Sequence, residues 1–175
     1  MFKNIIFFGL LSCIQHNLFG GHLSENLYSI CEKSYDYEEA VIKNLSREEF
    51  QNRMTDNVKR LLNFKADPNW SGKKNNGFTA LLWACRNGHT DAAEALLAHG
   101  ANIEATLTNE GWSPLHLACC HKKREIIKLL IKNKANINKH DKKGRLPIEL
   151  LCDQNFNAEM HGDLIQLLQN ETVTE

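Results

Sequence analysis

Eight histidines and six cysteines in 175 residues raise the question of metal or redox chemistry. The densest group is Cys119-Cys120-His121, which closes the run "PLHLACC". Cys85 and Cys152 end similar short apolar runs. Thiolates and imidazoles are the usual zinc ligands, and a low-pKa thiol is a nucleophile. The spacing argues against both uses. Successive helical residues are rotated by about 100°, so these three cannot converge on one ion. The chain has no His-Glu-x-x-His, no paired Cys-x-x-Cys, no phosphate loop and no Gly-x-Ser-x-Gly. It therefore offers no catalytic residue, no metal site, no cofactor and no specific small-molecule ligand, and reads as a non-enzyme.

The elements that carry these residues repeat. "GFTALLWACRNGHTDAAEALLAHGANI" from Gly77 lies over "GWSPLHLACCHKKREIIKLLIKNKANI" from Gly111, at an offset of 34 residues without a gap. A third copy opens 33 residues later with "GRLPIELLC" from Gly144, and "NVKRLLNFKADPN" supplies an earlier second half. Each unit reads as a turn and two short helices. Thr79 and Ser113 stand where a helix N-cap is needed, and Pro114 and Pro147 where a first turn tolerates a missing N–H. Leu81, Ala84 and Cys85 share one helical face; Ala92, Ala93, Leu96 and Leu97 form the stripe of a second helix, which Ile126, Ile127, Leu130 and Ile131 repeat. Gly100 fits a left-handed cap. One such unit cannot bury its faces alone, and stacking covers them.

"SPLHLAC", "NGHTD", "ALLAHGANIEA" and "LLNFKADPN" resemble the ankyrin repeat. The resemblance covers roughly residues 35–170. It implies an all-α ankyrin-repeat solenoid, a turn plus two antiparallel helices per repeat, with about four units including divergent N- and C-terminal caps. The expected boundaries are a signal peptide at 1–21, an N-terminal helical segment and divergent capping repeat at 22–74, repeats at 75–107 and 108–141, a divergent C-terminal capping repeat at 142–170 and a tail at 171–175. In the N-terminal cap, "YEEAVIKN" from Tyr37 is expected to form a helix, and "SREE" from Ser46 reads as a capping box that starts another. In the last unit the turn between the helices is lengthened within "DQNFNAEMHGD", and "LIQLLQN" from Leu164 closes the stack. Leu82 and Glu149 take the family's histidine place, so only His116 is expected to make the side-chain bonds of that residue.

The register answers the cysteine question. Cys85, Cys119 and Cys152 each lie eight residues after their unit's glycine, where a small side chain faces the next unit. Packed helices stand about 8–10 Å apart, whereas a disulfide needs Cα atoms about 4.4–6.8 Å apart. Buried thiols that do not pair are expected, with Cys120 more exposed than Cys119. The sequence does not place Cys31.

Formal net charge is zero, but it is unevenly spread. Residues 122–145 carry ten Lys or Arg against two acids; residues 153–175 carry five acids and no Lys or Arg; residues 25–56 carry eight acids against four Lys or Arg. A basic middle between acidic ends is either a set of solvated faces or a patch for an acidic partner. "MFKNIIFFGLLSC" has the short basic start and apolar centre of a secretory signal, with cleavage expected near Gly20 or Gly21. "LLSC" also resembles a lipobox that would lipidate Cys13, and a helix packed on the domain is the third reading. Export as a secreted, periplasmic or envelope protein is therefore expected, or a cytoplasmic place if the segment is not a signal.

The resemblance implies protein binding, through the turn tips and the exposed side of each first helix, which together make a concave surface. Carried over by position, it selects Asn76, Phe78, Arg86 and Asn87, then Glu110, Trp112 and His121, then Lys142, Lys143 and Arg145. Asn75, Asn109, Cys120, Asp153 and Gln154 fall on the same positions. Phe78 and Trp112 are equivalent and either anchor a partner or pack on their own turns. Trp70 is assigned to a tip and Trp83 to the core. The partner expected is a protein, not nucleic acid, and the module a monomer; a small envelope lipoprotein or the regulatory subunit of an enzyme is the other reading.

Overall fold

The structure is a computed structural model, and it describes residues 22–32, 46–71, 76–151 and 166. Among them are seven helices and no strand. We number them α1 (His22–Glu32), α2 (Arg47–Asn63), α3 (Ala80–Asn87), α4 (Thr90–Ala98), α5 (Pro114–Cys120), α6 (Arg124–Lys132) and α7 (Pro147–Leu151). An isolated bridge, Ser71 to Thr79, closes the base of the first described tip.

The helices pack in two rows. In the first row α1 packs on α3, α3 on α5, and α5 on α7. In the second row α2 packs on α4 and α4 on α6. Within a unit, α1 covers α2, α3 covers α4 and α5 covers α6. Translation of one helical pair onto the next is thus the architecture that the 34-residue offset predicts.

The local signals act as the sequence implies. Ser46 accepts the Glu49 amide while the Glu49 carboxylate accepts the Ser46 amide, the reciprocal box that starts α2. Thr79 accepts the Leu82 amide at the start of α3. Gly88 ends α3 at φ 87°, and Gly100 follows α4 at φ 84°. The equivalent turns elsewhere have no glycine. Lys122 after α5, Lys134 after α6 and Lys65 after α2 take φ of 53°, 61° and 63°, left-handed values that cost a non-glycine residue about 1–2 kcal/mol.

The core lies between the rows. Leu81, Ala84, Cys85, Leu115, Ala118, Cys119, Ile127 and Leu130 are almost fully enclosed. Each enclosed Leu or Ile side chain stabilises the fold by about 1.5–3 kcal/mol.

The N-terminal unit is completed by a helix early in the segment 22–74. Its first-row helix is His22–Glu32, placed against α3. The helix expected from Tyr37 lies outside the described residues, as do Cys13, Cys152 and all but one residue of the closing segment from Leu164. Leu27 and Cys31, both fully buried, repeat the spacing of Leu81 with Cys85 and of Leu115 with Cys119. Cys31 is therefore the first member of the cysteine row. The Asn87 amide donates to the Cys31 carbonyl at 3.1 Å, satisfying an acceptor in the last turn of α1. The Ser24 hydroxyl accepts the Asp67 amide at 2.8 Å.

Candidate interaction surface

Two surfaces are open to a partner in such a stack: the turn tips and the exposed side of the first-row helices. The tips are largely committed to one another. Asn76 Oδ1 accepts the Asn109 amide at 2.8 Å, and its Nδ2 donates to Glu110 at 2.8 Å. The Asn76 carbonyl accepts the Thr108 amide, and the Glu110 carbonyl accepts the Lys142 amide. The Lys142 ammonium donates to the Thr108 carbonyl. Each tip thus docks onto the preceding one. Gly77 and Gly111 permit this approach, with φ of 75° and 73°. A Cβ at Gly77 would lie 2.9 Å from Thr108 Oγ1, and one at Gly111 would lie 3.2 Å from the Lys142 amide.

The last described tip is built around Asp141, whose side chain is closed off from solvent. Its Oδ1 accepts the amides of Lys143 and Arg145 at 2.8 and 2.9 Å. Its Oδ2 accepts the Trp112 indole at 3.0 Å and Arg145 Nε at 2.9 Å, with Arg145 Nη2 at 2.8 Å. Burial alone would raise this carboxyl's pKa. The Arg145 amide and guanidinium, the Lys143 amide and the Trp112 indole outweigh burial and hold it well below the usual carboxylate range.

These contacts decide the question of the aromatic tips. Phe78 stacks on Trp83 at 4.3 Å between centroids and, with Trp112, packs on Leu82, Leu107 and Leu117. Trp112 is held at its indole by Asp141 and lies under Arg145, at 5.8 Å. Both rings pack back on the scaffold and are half-buried. Asn76, Glu110, Lys142 and Arg145 are likewise spent on tip-to-tip bonds. Of the residues selected at the tips, Glu110, Lys142 and Lys143 are exposed, and Lys143 is held through its backbone amide. Trp70, assigned to a tip, packs edge-on against Tyr28 of α1 at 5.6 Å. Trp83, assigned to the core, is half-buried in one aromatic group with Tyr28 and Phe78. The larger ring in a leucine place builds the platform that pulls Phe78 inward.

The side of the first-row helices is different. Arg86 and Asn87 end α3, and Cys120 and His121 stand one unit on. Asn87 is turned towards α1 by its bond to Cys31. Arg86 lies over Trp83, 5.0 Å from the ring centre, a cation–π contact. His121 is exposed and Cys120 half-buried. Desolvation first, then Arg86 and Lys123, lower the His121 pKa.

His116 has the bridging role expected of it alone. Its Nδ1 accepts the Ser113 amide at 3.2 Å, and its Nε2 donates to the Arg145 carbonyl of the next unit at 3.2 Å. This network assigns the neutral Nε2–H tautomer. Desolvation lowers its pKa against the opposing pull of the Arg145 carbonyl. Glu149 reproduces only the local half of the pattern, accepting the Leu146 amide at 2.8 Å. His99 Nδ1 donates to the Ala95 carbonyl at 2.8 Å, where α4 ends. Second loops are stapled similarly: Asn69 bonds the Gly100 carbonyl and the Asn102 amide, and Glu104 bonds the Asn136 amide and Lys139.

The cysteines are thiols at Cys31, Cys85, Cys119 and Cys120. Burial pushes the Cys31 thiol up to about 12, and burial with the neighbouring Cys31 pushes Cys85 higher still. Among the described residues no group of His, Cys, Asp and Glu is arranged to hold a metal. Nor is any described helix long and apolar enough to cross a membrane.

The family model for ankyrin repeats, in three copies, matches residues 49–141, just over half of the chain. This chain belongs to the ankyrin-repeat family. It is 33% identical over 109 residues to ankyrin repeat domain-containing protein 13C of Danio rerio, covering 61% of this chain and 22% of that one. It is 35% identical over 86 residues to the putative ankyrin repeat protein YahD of Escherichia coli, covering 46% of this chain and 42% of that one. It is also 33% identical over 91 residues to the palmitoyltransferase AKR1 of Lachancea kluyveri, covering 52% of this chain and 12% of that one. The match spans less than half the length of each of these relatives. Ankyrin repeats generally mediate protein–protein interaction, and most of the family is non-enzymatic.

Proposed function

We propose that this chain is a non-enzymatic, exported protein-binding module that takes its partner on the concave side of the first-row helices. The observation that carries the reading is the division of labour between the two surfaces. Six of the seven tip residues selected by position are consumed by scaffold contacts, while Arg86 and His121 remain presented side by side from consecutive units. Export rests on the basic start and apolar centre of the first residues, which fit a signal better than a span. Among the described residues, His116 bridges two units, His99 closes a helix end, and Cys31, Cys85 and Cys119 are buried in the packing.

The test compares partner recovery by the wild-type chain and an Arg86→Ala, His121→Ala variant, both checked for folding by circular dichroism. Loss of the recovered protein with the fold retained supports the reading. Equal recovery moves the interface elsewhere. N-terminal sequencing of the exported chain tests the compartment: a first residue near His22 is expected, and an intact Met1 in the cytoplasm contradicts export.

A further inference from the structure

Among the described residues, cations gather where α3 and α5 end. Lys123 occupies the place of His89 one unit earlier. Its side chain runs back across the unit boundary: a Cβ on Gly88 would meet Lys123 Cδ at 2.9 Å and Nζ at 3.5 Å. The ammonium therefore sits beside Gly88, two residues from Arg86. Arg86 is fixed on the Trp83 ring, which orders its guanidinium without neutralising it. His121 follows α5 one unit on, and both cations act on its ring electrostatically. The ion pairs of Lys128 with Glu125, Lys139 with Glu104 and Arg145 with Asp141 leave these groups out.

We propose that Arg86, His121 and Lys123 form a carboxylate-binding site, and that the partner presents an acidic segment rich in Asp and Glu to it. This rests on the concave-side reading above and names the chemistry of the partner. Arg86 ends α3, and His121 and Lys123 follow α5, the next first-row helix packed against it, so hydrogen-bond donors from two units share this end of the row. A guanidinium held over an indole offers its planar fork to a carboxylate, and an ammonium and an imidazole add further donors. Lys122, exposed at the turn beside Lys123, adds long-range attraction that salt screens.

The probe is a fluorescein-labelled octaglutamate peptide, titrated with the full chain at low salt and read by anisotropy. Saturable binding that weakens as salt rises is expected. Arg86→Ala with Lys123→Ala should weaken it by about tenfold. Lys128→Ala with Lys132→Ala removes the same charge from α6 and should change it by less than about twofold. Three results overturn the proposal: no saturable binding, equal losses in the two double variants, or tighter binding of an oligothymidylate of the same charge. A fourth concerns the chain's own acidic stretch, residues 153–175. If neutralising its five acids to Asn and Gln strengthens peptide binding by more than about tenfold, that stretch and not a partner is the occupant. Failure of octaglutamate to bind, with partner recovery still lost in the Arg86→Ala, His121→Ala variant, leaves the binding role standing and removes only the carboxylate chemistry.

Discussion

The indole of Trp112 donates to the buried carboxylate of Asp141 at 3.0 Å, tying the tip of one unit to the tip of the next. The same carboxylate holds both the backbone and the guanidinium of Arg145. Asp141→Ala leaves these donors without an acceptor and should destabilise the fold by about 3–5 kcal/mol. Urea denaturation of the two proteins measures it. Because the folded carboxyl is held below its unfolded value, its contribution is complete above about pH 4. It is lost as pH falls through the folded value, and the variant should lack this acid dependence.

His116 gives a second pH dependence, in a higher window. Its folded pKa lies below the ordinary value, so the unfolded chain takes the proton first. Stability is complete above about pH 6.5 and declines as acid is added. Thermal melts between pH 7.5 and 5 should show a fall in Tm that His116→Gln flattens. A parallel fall in both proteins assigns the dependence to other groups.

The left-handed lysines predict gain. Lys122→Gly and Lys134→Gly remove a Cβ from a conformation that disfavours it, as Gly88 and Gly100 do in the preceding unit. Each should stabilise by about 1 kcal/mol, read as a higher denaturation midpoint with unchanged slope. Lys128→Gly, inside α6, should destabilise by about the same amount.

Thiol reactivity follows burial. Iodoacetamide at pH 7.5, with labelled sites read by mass spectrometry, should modify Cys120 first among the four described cysteines. Cys31, Cys85 and Cys119 should react only on unfolding. Rapid labelling of Cys31 with Cys85 still protected would show that α1 does not cover α3.

Much of this arrangement is legible in the chain. The caps at Ser46, Thr79 and Ser113, the turn glycines and the lone bridging histidine are local chemistry, and local chemistry is read at fixed offsets. The bounds of the helix His22–Glu32 are not, because Leu23 stands where the other units carry their turn glycine, and the helix follows a leader-like segment. The usable signal was the Leu27–Cys31 spacing, which repeats in α3 and α5. The fate of Phe78 and Trp112 was not legible either. Type and position leave a ring free to point in or out, and the choice is made by residues distant in sequence. Asp141, 29 residues on, fixes Trp112, and Tyr28 with Trp83 makes the platform on which Phe78 stacks.

Site-specific photo-crosslinking in the producing cell tests the central claim most directly, since it captures a partner of any identity. A photoreactive residue is placed at position 121 on the concave side, at 143 on a tip and at 128 on α6, one per protein. A crosslinked protein product from 121 and none from 128 is predicted, with 143 weaker than 121. Products from 128 or 143 with none from 121 would contradict it.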